Sequence, residues 1–187
     1  AGSTVQWLRD ELGLIKDASE TEELALSVPD TAGAYLVPAF TGLGAPWWDA
    51  EARGLICGLT RGCTRAHLAR AALESIAYQA YDVLEAMRND FPCEIEELAV
   101  DGGGSQNRFT MGWQAGLLQR PVVRPKTAEV TALGAAYLAG LNAGYWKDLD
   151  SLRANAVQAT RFKPELAAEL RRQSLDGWYR ALNRARG

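Results

Sequence analysis

The residues best suited to chemistry in this chain stand in one run: Leu98, Ala99, Val100, Asp101, Gly102, Gly103, Gly104, Ser105, Gln106 and Asn107. An apolar extended stretch enters three consecutive glycines, and polar residues then open a helix. Without Cβ atoms, the turn lets a ligand lie almost against the backbone, and the helix behind it offers unpaired amide N–H groups to an anionic or polar group. A nucleotide meets both conditions. An ordinary tight turn is the plain alternative, because glycine runs also mark such turns.

The elements around the run favour a ligand. A short strand is predicted over residues 121–124, and a second helix opens at Thr131, Ala132, Leu133, Gly134, Ala135 and Ala136. Strand, glycine turn, helix, strand, helix is the order of a parallel βαβα unit with a right-handed crossover. Ligands of open α/β sheets sit beyond the carboxyl ends of the strands, which is where the glycines fall.

The chain has 187 residues, 48% apolar and 23% charged, enough for one domain with a sizeable core. A net charge of -3 argues against nucleic acid as the main partner and excludes no small anionic ligand. Cys57, Cys63 and Cys93 form no CxxC pair and His67 is the one histidine, so no metal site is read. Unpaired thiols, no leader-like segment and no long apolar run imply a cytoplasmic setting and no membrane partner. The chain opens at Ala1 without an initiator methionine, so a longer parent protein is expected. Basic residues crowd the stretch from Arg153 to Arg186, read as a solvated helix face or an intersubunit surface.

Further signals organise the amino-terminal half. Ser3 is placed to cap a helix in which Val5, Leu8 and Leu12 share a face, with Gly13 as its stop. Ser19 and Glu22 stand at capping-box spacing before Leu24, Ala25 and Leu26. Residues 34–40 read as a strand that Pro38 confines to an edge or a bulge, residues 55–59 as another, and residues 65–87 as a long, mostly buried helix. In the loop 41–49, the adjacent Trp47 and Trp48 are expected to pack inward.

Gly54, Leu55, Ile56, Cys57, Gly58 and Leu59, followed after seven residues by His67, Leu68, Ala71, Ala72, Leu73 and Glu74, resemble a signature of the FGGY carbohydrate kinases. Residues 38–49 (PAFTGLGAPWWD), 73–79 (LESIAYQ) and 129–140 (EVTALGAAYLAG) are similar to the glycerol kinase branch of that family. Several motifs agreeing in order are specific where one alone would not be. The resemblance implies an α/β, ribonuclease H-like domain of the actin, hexokinase and heat-shock ATPase superfamily, with its first strands expected upstream of Ala1. It implies a partial carboxyl-terminal domain over residues 1–187, with 151–187 as a terminal helical extension.

The implied reaction converts glycerol and ATP to glycerol 3-phosphate and ADP. Mg2+ would be held mainly through the nucleotide and upstream residues, glycerol by an amino-terminal domain, and the full-length protein would be a homo-oligomer. The matching site positions all belong to the nucleotide: Gly2, Gln6, Gly103 and Asn107. The glycines would leave room for adenine and ribose, and the two amides would match a base edge or a ribose hydroxyl. Helix capping by Asn107 and simple solvation of Gln6 are the structural alternatives. No catalytic residue and no metal ligand is assigned; Asp101, His67 and Glu74 are left outside the site as structural or solvated groups. Residues 164–172 (PELAAELRR) put Leu170 where regulator-responsive relatives carry a zinc-binding glutamate, so that regulation is not expected. A kinase of another polyol or sugar and a non-catalytic nucleotide-binding module are the competing functions. A dinucleotide fold is poorer, for want of GxGxxG spacing with an acid about 20 residues on.

Overall fold

The computed structural model describes residues 2–91, 94–127, 130–154 and 159–186. Helix α1 (Gly2–Asp10) turns Thr4 and Leu8 inward. Ser3 lies inside its first turn, so it does not cap, and Leu12 falls beyond the helix. Helix α2 (Glu20–Leu26) has Ser19 at its N-cap in a helical conformation with no side-chain cap bond. The expected capping box does not form, because Glu20 turns back to accept from the Lys16 amide at 2.9 Å and Glu22 is drawn to another helix.

Strands β1 (Tyr35–Val37) and β2 (Leu55–Cys57) pair antiparallel, with Tyr35 opposite Cys57. Just past β2, Gly58 has φ +79°, and a Cβ there would run into the Gly33 carbonyl, so this turn admits only glycine. Helix α3 (Arg65–Asp90) then runs for 26 residues. At its start the Thr64 amide donates to His67 Nδ1 at 3.1 Å, which makes the single histidine a helix-end residue.

A second sheet has the order β3 (Leu98–Ala99), β4 (Val122–Pro125), β5 (Ala159–Phe162). β3 and β4 are parallel and joined through helix α4 (Arg108–Leu118), which is the predicted βαβ unit. β5 runs antiparallel to β4, with Val122 opposite Phe162. The stretch expected as a terminal helical extension therefore also supplies a strand. Helices α5 (Val130–Asn142), α6 (Leu149–Ala154) and α7 (Ala168–Arg186) complete the described chain. No described residue of the apolar α5 is buried.

The main core lies between α3, α7 and β1, where Trp178, Tyr78, Leu182, Val37 and Leu117 are fully buried. Tyr78 stacks on Trp178 with ring centroids 5.2 Å apart. Most polar groups that enter this core have partners, while Asp82 Oδ1 and the Trp113 indole N–H are buried without one among the described residues. Arg70 Nε donates to Glu74 at 2.9 Å, Tyr78 donates to the same carboxylate at 3.0 Å, and a second Arg70 nitrogen donates to the Val28 carbonyl at 2.7 Å. Asp82 accepts from the Trp178 indole at 2.8 Å and from the Trp47 indole at 3.3 Å. That contact anchors Trp47 as expected, whereas Trp48 stands 80% exposed.

Candidate functional site

A cavity of about 1620 Å³ opens between α1, α2, one face of α3, the glycine turn after β3 and the start of α4. Gly2, Gln6, Gly103 and Asn107 all line it. Gly2 and Gln6 are one helical turn apart on α1, and Gly103 and Asn107 bracket a 3-10 turn, Gly103–Gln106. Four residues chosen from two distant stretches thus share one wall-to-wall space. Leu73, Ile76 and Ala80 of α3, with Leu98, Val100 and Met111, give the cavity an apolar side.

The glycine turn is held from behind. Ser105 Oγ donates to the Gly102 carbonyl at 2.7 Å, and Arg124 on β4 donates to the Ser105 carbonyl at 2.7 Å. Gly102 needs its residue type, since its φ is +78°. Gly103 does not: its φ is outside the left-handed range, and an added Cβ would meet nothing within 4 Å. Neither backbone conformation nor packing explains a glycine there. Open space in front of a side-chain-free residue is what a closely lying ligand would use.

The start of α4 departs from expectation. Two of its first amides are already engaged: Arg108 N donates to Glu22 Oε2 at 2.5 Å, and Thr110 N donates to Asn107 Oδ1 at 2.9 Å. The expected seat for an anion at this helix terminus is therefore filled by the chain's own carboxylate, which satisfies the same dipole. Asn107 does both jobs weighed for it, capping α4 and lining the cavity. Its Nδ2 donates to Thr21 Oγ1 at 3.2 Å. Sequence reasoning missed Thr21 entirely, because a threonine inside a helix carries no signal, and it misread Glu22 as a local cap.

Charge on the cavity wall is not arranged for phosphate. Glu22, Glu23 and Asp101 line it, and among the described residues the one lining cation, Arg9, is held by Asp10 through bonds of 2.7 and 3.0 Å. An apolar side, a glycine turn and amide side chains suit a flat base and its sugar, which are apolar on their faces and polar at their edges. Among the described residues no group of three His, Cys, Asp or Glu side chains could hold a metal ion. Glu74 lies behind the cavity on the packed side of α3. Burial pushes its carboxyl up from the usual range, opposed by the bonds from Arg70 and Tyr78. Leu170 sits in the exposed first turn of α7, and the adjacent Glu169 is engaged by Arg172 at 2.7 Å.

Comparison with known proteins bears on this geometry. Residues 1–143 match the carboxyl-terminal domain of the FGGY family of carbohydrate kinases. The chain is 54% identical over 184 residues to glycerol kinase 1 of Clostridium tetani, covering 98% of this chain and 37% of that protein. It is 58% identical over 186 residues to a glycerol kinase of Burkholderia ambifaria, covering 100% of this chain and 37% of that protein. The crystal structure of Plasmodium falciparum glycerol kinase with ADP superposes with a TM-score of 0.90 at 34% identity, covering 98% of this chain and 37% of that one. A xylulose kinase from Brucella ovis superposes with a TM-score of 0.81 at 26% identity, again over 98% and 37% of the two chains. The chain spans 37% of the length of these relatives.

Proposed function

The chain belongs to the FGGY family of carbohydrate kinases, with the α/β ribonuclease H-like fold of its carboxyl-terminal domain, and from that premise we propose that it is the nucleotide-binding part of a glycerol kinase. The reaction is transfer of the γ-phosphoryl group of ATP to a glycerol hydroxyl, giving glycerol 3-phosphate and ADP. The observation that carries the reading is the single cavity shared by Gly2, Gln6, Gly103 and Asn107, with no internal reason for glycine at 103.

In this reading the adenine lies along the apolar face of α3, the ribose passes Gly103, and the amides of Gln6 and Asn107 meet polar edges. The phosphates leave toward the rest of the protein, because among the described residues of this wall the one cation, Arg9, is paired with Asp10. Mg2+ would be held there, where it would neutralise phosphate charge during transfer. The base that takes the glycerol proton, the glycerol clamp and the metal ligands are assigned outside residues 1–187, as is assembly into a homo-oligomer. The domain itself is proposed to extend over the whole chain. Glycerol as acceptor rests on relatives at 54–58% identity; the xylulose kinases share the fold at lower identity, and no residue of this cavity selects the acceptor.

Titration of ADP into the chain, followed by tryptophan fluorescence and calorimetry, tests the reading. Saturable binding that is weakened roughly thirtyfold in Gly103→Val, about 2 kcal/mol, is the expected result. A chain that binds no ADP, or binds it equally after that substitution, overturns it.

A further inference from the structure

Thr21 belongs to α2, is 1% exposed and lines the cavity, where its hydroxyl meets Asn107. Its hydroxyl has a single proton, and that proton is committed: Oγ1 donates to the Ala18 carbonyl at 2.6 Å. Toward Asn107 it can only accept, which it does from Nδ2 at 3.2 Å. On the other side of the same amide, Oδ1 accepts from Thr110 N at 2.9 Å and from Thr110 Oγ1 at 3.1 Å. A flipped amide would set oxygen against the spent Thr21 hydroxyl and NH2 against the Thr110 N–H. Both ends would then clash in polarity, so one orientation survives.

With that orientation fixed, the amide's oxygen is used up and one Nδ2 proton remains. We propose that Thr21 is a positioning residue for the nucleotide site: by holding Asn107 from helix α2, at the wall that both residues line, it makes the amide a donor only. The ligand atom it meets must then be an acceptor, a purine ring nitrogen or a ribose oxygen, and not an exocyclic amino group. The inference deepens the nucleotide reading above and rests on it.

The test compares ADP affinity in the unmodified chain, Thr21→Val, Thr21→Ser and Ser75→Ala. Ser75 lies outside the cavity lining and makes a similar buried bond, from Oγ to the Ala72 carbonyl at 2.7 Å, so it controls for a general loss of stability. Thr21→Val is expected to weaken ADP roughly five- to tenfold, as losing one oriented hydrogen bond would. Thr21→Ser is expected to restore affinity to within about twofold of the unmodified chain, and Ser75→Ala to leave it unchanged although its melting temperature falls. Where Thr21→Val fails to fold, Thr21→Ala carries the same expectation. If the unmodified chain binds ADP and Thr21→Val binds it equally, or Ser75→Ala loses as much, the inference alone is overturned. If the unmodified chain binds no ADP, the nucleotide reading falls and takes this one with it.

Discussion

Helix α3 has two faces that reverse the usual rule. Toward α7 and α4 it buries Arg70, Glu74 and Asp82 at 8%, 4% and 4% exposure, while toward the cavity it presents the partly exposed Ile76, Ala80 and Val83 beside a buried Leu73. Buried charge is tolerated on the first face because Arg70 has a carboxylate and carbonyls as partners and Asp82 accepts two indole N–H groups through Oδ2, although its Oδ1 is buried without a partner among the described residues. The partly exposed apolar surface on the second face lines the cavity, and such surface suits a ligand or partner. The contrast teaches that one continuous helix can serve the interior on one face and a candidate ligand site on the other.

Substitutions on the two faces should therefore read out differently. The largest effect is expected from Glu74→Ala, which strips the Arg70 guanidinium of its buried counter-charge and should cost about 3–5 kcal/mol in urea unfolding. Gly103→Val comes next and inverts the pattern, losing about 2 kcal/mol of ADP affinity with an unchanged melting temperature, since the added methyls enter open space. Asn107→Asp sharpens the comparison further. Aspartate caps a helix as well as asparagine, so stability should fall by less than about 1 kcal/mol, while replacing the donor by an acceptor should weaken ADP about tenfold in calorimetry.

The smallest effect is a pH slope. Burial pushes the Asp82 carboxyl up, so the folded chain keeps its proton to a higher pH than the unfolded chain does. Stability from this group is whole below about pH 4 and is lost as pH rises through the folded value. Glu74 acts with the same sign. Asp82→Asn should flatten part of the decline in unfolding free energy above about pH 4, by less than about 1.4 kcal/mol per pH unit.

What the sequence revealed follows from how local each signal was. Helix α3 was legible almost to its ends, because an apolar stripe over many turns needs no knowledge of its surroundings. The parallel pair β3 and β4 was legible from the glycine turn between strand and helix. β5 was not, since Ala159, Thr160, Arg161 and Phe162 lie in a basic stretch without apolar alternation and are strand only because β4 offers an edge. Glu22 was misread because its true partner, the Arg108 amide, lies 86 residues away. The same separation joins Thr21 to Asn107, so the four cavity residues could be found by resemblance, but the residue that orients one of them only by geometry.

The adjacent indoles of the 41–49 loop carry an optical consequence. Trp48 projects into solvent at 80% exposure, whereas Trp178 is wholly enclosed at 0%. Iodide should therefore quench Trp48 strongly and Trp178 hardly at all, with the half-buried Trp7, Trp47, Trp113 and Trp146 in between. In Trp48→Phe the most readily quenched part of the emission should be lost, which assigns it to the loop.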